Sequence, residues 1–225
     1  MRVPFQERNS RWRGVLDVVS GRYPGFLFGG GLGRWLPVFH FHESHPAALE
    51  PYFQYLVENG YRTVDSAAIA DLVRRGRHPG DRTVAICFDD AWSSMWLTVF
   101  PLLKRYGLQA ITYVSPGRVP EAEDVRRLER PASDPAWAEV DRVDPMFSTW
   151  PEIRAMAASG HVDVQAHGWR HAQVAAVGEP VGFLAPGQLY HPHEVPWVDT
   201  PSGGRFLRGT DLGAPLYPTR SRFSD

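Results

Sequence analysis

Cysteine is nearly absent: Cys87 is the single one in 225 residues. A disulfide framework is therefore excluded, and a thiolate zinc site is short of ligands. Cys87 lies inside the apolar run Val84-Ala85-Ile86-Cys87-Phe88, where it reads as a small buried hydrophobe rather than a nucleophile. Neither sign of charge dominates. The formal net charge is −1, and the arginines sit among carboxylates, as in Asp124-Val125-Arg126-Arg127 and Asp141-Arg142, instead of forming a stripe. Nucleic acid is a poor fit as a partner, and nothing draws the chain broadly to an anionic membrane. No apolar run reaches the roughly 20 residues of a membrane-spanning helix. Met1 to Arg13 is polar and lacks the apolar stretch of a secretory signal. The chain as written is expected in the cytoplasm, and outside the cell if its true start lies upstream. Gly29-Gly30-Gly31-Leu32-Gly33 has no following Gly-Lys-Ser/Thr, so it does not read as a phosphate-binding loop.

What is present is an ordinary globular composition, 43% hydrophobic and 22% charged, at a length sufficient for one α/β domain. From Trp35 onward, short apolar runs alternate with amphipathic segments. Strands are expected at Trp35–Phe41, Tyr61–Val64, Thr83–Phe88, Leu108–Val114 and His161–Ala166. Helices are expected at Pro46–Asn59, Ser66–Arg75, Trp92–Tyr106 and Trp150–Ser159, closed by Gly60, Gly76, Gly107 and Gly160. Repeated βα units imply a mainly parallel sheet or barrel, because each parallel crossover needs a connection the length of a helix. Three regions break the rhythm. Residues 1–34 read as an N-terminal arm with a flexible glycine-rich end, ahead of a domain over 35–225. Residues 115–148 form a long polar connection that either passes over the site or moves. Residues 172–225 are rich in Gly and Pro and read as largely irregular, with Val181–Leu184 the best strand candidate.

Two constellations carry chemistry. Asp89 and Asp90 end the Thr83–Phe88 strand, at the edge of a parallel sheet where catalytic groups collect. Two adjacent buried carboxylates need a cation or a proton between them, although capping the next helix would also account for one of them. His167-Gly168-Trp169-Arg170-His171 follows the His161–Ala166 strand directly. In a helix its i, i+4 spacing would put both imidazoles on one face, suited to one ion. Two histidines and a carboxylate with open positions are a common hydrolytic metal set. Trp92, Trp96, Trp150 and Trp169 are candidates for stacking on sugar rings, with Trp96 more suited to the core and Trp169 to a pocket.

Read together, these segments resemble one family. Val84-Ala85-Ile86-Cys87-Phe88-Asp89-Asp90 is similar to the Thr-Phe-Asp-Asp motif of polysaccharide deacetylases, the NodB-homology group also called carbohydrate esterase family 4. His167 to His171 resembles that family's His-Ser/Thr-x-x-His motif. Pro37-Val38-Phe39-His40-Phe41-His42 is similar to the Pro-Val-Leu-x-Tyr-His opening of its exopolysaccharide-deacetylase branch. Phe100 to Gly107 and Trp150 to Gly160 fit its helix patterns, and the motifs run in order from about Leu36 to His171.

The resemblance implies a distorted parallel (β/α) barrel. Five strands are expected here against the seven or eight such a barrel needs, so it would be incomplete at its C-terminal end. The resemblance also implies removal of acetyl groups from an N-acetylated sugar or polysaccharide. Asp89 would be the general base, and Asp90, His167 and His171 would hold a divalent metal, Zn²⁺ foremost, with Co²⁺, Ni²⁺, Mn²⁺ or Fe²⁺ as alternatives. Leu189-Tyr190-His191 has the letters of the family's Leu-x-His motif, which makes His191, or its neighbour His193, the candidate general acid. Gly168 stands where the family has a hydroxyl residue, and Cys87 where it has Thr. The late Arg-x-Pro-aromatic motif is not found at its usual distance. His42 is a candidate pocket residue, and His40 and His45 candidates for a second cation site, both mostly structural. Two other functions fit the same residues: hydrolysis of a non-carbohydrate C–N bond, and a non-catalytic module that holds metal and binds glycan.

Overall fold

The computed structural model describes residues 15–16, 19–20, 25–41, 45–128, 146–169, 173–175, 178–185, 197–200, 203–206 and 211–221. Its centre is a parallel sheet of β1 (Val38–Phe41), β2 (Arg62–Thr63), β3 (Thr83–Asp89), β4 (Ala110–Val114) and β5 (Val162–Ala166). The order is β1-β3-β4-β5, with β2 beside the start of β3 on the side away from β1. β3 is buried along its whole length, as expected for an unbroken apolar strand with neighbours on both sides.

Helices make the crossovers: α1 (Pro46–Glu58), α2 (Ser66–Arg75), α3 (Phe100–Tyr106) and α4 (Trp150–Ala158). Their ends are written in the sequence. Asp65 accepts from the Ala68 amide to cap α2, and Gly76 and Gly107 end α2 and α3 in the left-handed conformation that glycine takes without a Cβ clash. His45 caps α1 by accepting from the Ala47 amide at 3.2 Å, a structural job of the kind expected of it. One helix differs from expectation. The segment after β3 is π-helical over Met95–Val99 before α3 begins. Pro101 has no N–H to return to the carbonyl one turn back, and the ladder widens just ahead of it, with the Phe100 amide reaching back to the Met95 carbonyl.

Strand alternation sorts side chains into two sets. Phe39 and Phe41 of β1, Val84, Ile86 and Phe88 of β3, Ala110 and Val114 of β4, and Val162 and Val164 of β5 belong to the apolar core. There they meet Leu49, Phe53, Leu56, Leu103, Ile153 and Met156 from the helices. The other face carries Ala85 and Ile111 as well as His40, Cys87, Asp89, Tyr113, Asp163 and Gln165, with its polar groups gathered toward the strand ends.

The glycine-rich stretch is docked, not a loose arm. Phe26 packs its ring against those of Phe39, Tyr55 and Tyr61, and Leu32 is buried. Asp81 accepts from the Leu32 and Gly33 amides at 2.6 and 3.0 Å, and Arg82 donates to the Gly29 carbonyl. Composition alone suggested mobility because it shows neither the lone Phe26 and Leu32 anchors nor the receiving Asp81. Gly29 and Gly33 have positive φ, and a Cβ at Gly29 would strike the Asn59 side chain.

Beyond β5 the described residues form only short antiparallel pairs: β6 (Gln173–Ala175) with β11 (Thr219–Ser221), β7 (Gly182–Phe183) with β10 (Pro215–Leu216), and β8 (Trp197–Thr200) with β9 (Gly203–Phe206). Among the described residues of this region there is no helix and no strand that joins the main sheet.

Candidate active site

The site grows from the end of β3. In an extended strand Asp89 and Asp90 would point to opposite faces. They do not continue as a strand, because Asp90 and Ala91 both take left-handed backbone angles, φ 64° and 53°. Such angles in non-glycine residues cost on the order of 1 kcal/mol each and persist where neighbours over-determine them. Here the neighbours are visible. The Ser148 amide donates to the Ala91 carbonyl, the Ser93 amide to the Met146 carbonyl, and the Trp92 ring stacks on Phe147 at 4.4 Å. Both carboxylates are buried. Neither stands next to the helix, which begins at Ser93 after Trp92 and turns π-helical at Met95.

Asp89 lies between two imidazoles. His40 Nε2 is 2.8 Å from Asp89 Oδ1, and His167 Nε2 is 3.6 Å from Oδ2. These residues come from β1, β3 and the end of β5, and meet because a parallel sheet brings the C-terminal ends of its strands to one edge. The His167 amide donates to the Val114 carbonyl, which continues the β4–β5 ladder one step past β5 and fixes where the imidazole starts. Gly168 follows with φ 86°, in open space. The turn needs glycine for its backbone angle, which accounts for the departure from a hydroxyl residue here. Tyr113 pairs with Asp89 in register, and its ring lies 6.3 Å from that of His167. The phenol of Tyr113 and the thiol of Cys87 are neighbours on this face. Burial raises the pKa of both, and the charge of Asp89 adds to the rise. Cys87 stays a protonated thiol, which agrees with its reading as a buried hydrophobe.

Asp90 has different company. Ser115, just past β4, donates its hydroxyl to Asp90 Oδ1 at 3.3 Å. Arg118 is buried, with its guanidinium 5.5 Å above the Phe147 ring. Burial lowers its pKa, and the nearby Asp90 charge raises it. Behind this, the Arg126 guanidinium grips the fully buried Glu152 at 2.6 and 2.7 Å and reaches the Ser93 hydroxyl and the Phe147 carbonyl. Residues 115–128 and 146–149 are thus packed against the β3 end, and 129–145 lie outside the described residues.

Of the residues expected at the site, Asp89, Asp90 and His167 are together at this edge. His171, His191, His193 and His42 lie outside the described residues. Among the described residues, no group of three or more His, Cys, Asp or Glu side chains is gathered closely enough to hold a metal ion. The donors in view, a buried carboxylate and an imidazole, are of the type a zinc-class site uses, with the third expected one outside. Trp169 is exposed, as a substrate platform would be, whereas Trp92 and Trp96 are buried and Trp96 donates its indole N–H to the Arg126 carbonyl. Sequence reasoning missed Tyr113, Ser115 and Arg118, and undervalued His40. Alternation along β4 was the signal for Tyr113; the other three depend on which strands are neighbours. A separate cavity of about 550 Å³, lined in part by Tyr61, Gln109 and His161, opens at the N-terminal ends of the strands, at the opposite end from Asp89.

Residues 76–183 match the family model described as polysaccharide deacetylase. Over this segment, just under half of its length, the chain is similar to that family. A poly-β-1,6-N-acetyl-D-glucosamine N-deacetylase of Escherichia coli (strain K12) is 30% identical over 124 residues, 55% of this chain and 17% of that protein. This chain therefore meets only a small part of that relative. Among solved structures, IcaB from Ammonifex degensii is 25% identical, covering 68% of this chain and 60% of its own, with a TM-score of 0.47. The BpsB deacetylase domain from Bordetella bronchiseptica is 21% identical, covering 81% and 69%, with a TM-score of 0.45. The family match contains Asp89, Asp90, His167 and His171, so the polysaccharide-deacetylase segment and the polar sheet edge coincide.

Proposed function

We propose that this chain is a metal-dependent N-deacetylase acting on a polysaccharide of N-acetylated sugars, with its site at the C-terminal edge of β3 and β5. The observation that carries the reading is the buried Asp89–Asp90 pair, with Asp89 3.6 Å from His167, inside the segment that matches the deacetylase family. The E. coli relative's name, a poly-β-1,6-N-acetyl-D-glucosamine deacetylase, supports a glycan of acetylated glucosamine as substrate.

Asp90, His167 and His171 would hold the ion, Zn²⁺ foremost. When bound, such an ion polarises the acetamide carbonyl and acidifies water beside it. The chain's own residues do the rest. Asp89 takes a proton from the attacking water, the role of a general base. The acyl C–N bond breaks, and the amine leaves with a proton, giving acetate and a free amino sugar. His191 is the proposed donor of that proton. Burial of Asp89 and Asp90 excludes bulk water from the reacting groups.

The test is acetate release from β-1,4- and β-1,6-linked N-acetylglucosamine oligomers. The protein is stripped with a chelator and then assayed with and without Zn²⁺ or Co²⁺. Release that requires the metal is expected. Release undiminished in the stripped protein contradicts metal dependence. Oligomer binding without release points to a glycan-binding module, and release confined to non-sugar acetamides points to the other hydrolase.

A further inference from the structure

We infer that His40 is a positioning residue that fixes the carboxylate of Asp89, a reading that rests on the deacetylase assignment above. The opening of the family's exopolysaccharide branch leaves this position unspecified, so nothing in the resemblance assigns it a role.

The argument starts with register. β1 pairs with β3 so that His40 lies beside Cys87, and alternation puts His40, Cys87 and Asp89 on the same face. The imidazole extends along that face, and its Nε2 stops 2.8 Å from Asp89 Oδ1, within ion-pair distance of a carboxylate that is almost wholly buried. The other flanking imidazole stands further off. His167 Nε2 stands at 3.6 Å from Oδ2, beyond hydrogen-bond length. A histidine that ligates a metal does so through a ring nitrogen that carries no proton, so that nitrogen has nothing to donate.

The division between the two oxygens follows. Oδ1 lies against the His40 ring nitrogen, and Oδ2 is turned toward His167, the side on which the hydrolytic water must be met. His40 thereby selects which oxygen of Asp89 works as the base and holds its plane, as an orienting partner does for a general base. The edge strand makes this workable. The His40 side chain is about half exposed, so the imidazole reaches the buried acid from the rim of the site without being buried itself.

The experiment compares wild type, His40→Leu and His40→Gln in the full chain, each loaded with Zn²⁺. Gln is included because its terminal amide can place a donor near the position of Nε2. Four readouts are taken: kcat and KM for acetate release, bound metal per chain, Tm, and the ¹⁵N spectrum of the histidine rings. His40→Leu is expected to lower kcat about 10–100-fold with KM within about twofold, with metal content and Tm held. His40→Gln is expected to recover most of the loss. In wild type the His40 ring is expected in the Nε2–H form. Unchanged kcat in His40→Leu, or a Gln variant as impaired as Leu, overturns the inference. Loss of metal in both variants overturns it too, because His40 is then a ligand. A wild-type chain that releases no acetate from any oligomer contradicts the deacetylase reading. In that event the ring spectrum still decides the contact, and an Nδ1–H form of His40 overturns it.

Discussion

The sheet over 38–166 and the short strand pairs over 173–221 are built on opposite terms. In the first, every strand is parallel, each crossover is long, and side chains far apart in sequence meet in one core and at one edge. In the second, the pairs are antiparallel and two to four residues long, and of the apolar residues described there Leu184 is buried while Phe183 and Leu212 are exposed. The comparison teaches where positional accuracy comes from. A catalytic edge needs groups held by packing behind them, and β3 has that on both faces and at its turn. Ribbons of a few residues are marginal by themselves and fit a role as a rim or cover.

Breaking the clamp behind the site gives the largest effect on stability. Arg126→Ala strands the carboxylate of Glu152, which is fully buried, and is expected to cost about 3–5 kcal/mol in urea unfolding. A loss under about 1 kcal/mol would mean water or another donor replaces the guanidinium. Phe53→Ala removes a ring 1% exposed in the core and is expected to cost about 3–5 kcal/mol by the same measurement. Phe183→Ala, in the ribbon region, is expected to change stability by no more than about 0.5 kcal/mol. An equal loss for both phenylalanines would erase the distinction between the two regions.

The smallest effect concerns acid. Asp81 is held below the ordinary carboxylate range first by the Leu32 amide and then by the Arg82 amide. A carboxylate depressed in the folded state stabilises it above its unfolded pKa, and that contribution fades as pH falls through the folded one. The docked stretch 29–33 should therefore loosen only in strong acid. Its Leu32 and Gly33 amide resonances should titrate with a midpoint below the roughly 3.9 of a free Asp. A midpoint near or above that value would mean the Asp81 contacts do not hold the stretch.

Much of this was legible in the sequence, for definite reasons. The Thr83–Phe88 run is β-branched and apolar, so β3 could hardly be other than a central strand, and glycine closed α2 and α3 where chain geometry required. Asp89, Asp90 and His167 stood out because they follow strands directly. What escaped depended on tertiary placement. A single helix expected over Trp92–Tyr106 hid the π-helical stretch at Met95–Val99, just ahead of Pro101. The anchors Phe26 and Leu32 were lost among glycines. His40 looked like one more strand histidine until β1 was known to lie beside β3. Alternation along a strand says which face a residue takes, and only the strand order says whom it meets there.

The central claim is that adjacent carboxylates at one strand end do different work, Asp90 holding the ion and Asp89 handling the proton. The most direct measurement is bound metal per chain together with turnover in Asp89→Asn, set beside Asp90→Ala. The account predicts that Asp89→Asn keeps its metal and loses turnover by roughly 10²–10⁴-fold, while Asp90→Ala loses both. Metal lost from Asp89→Asn and retained in Asp90→Ala would contradict it.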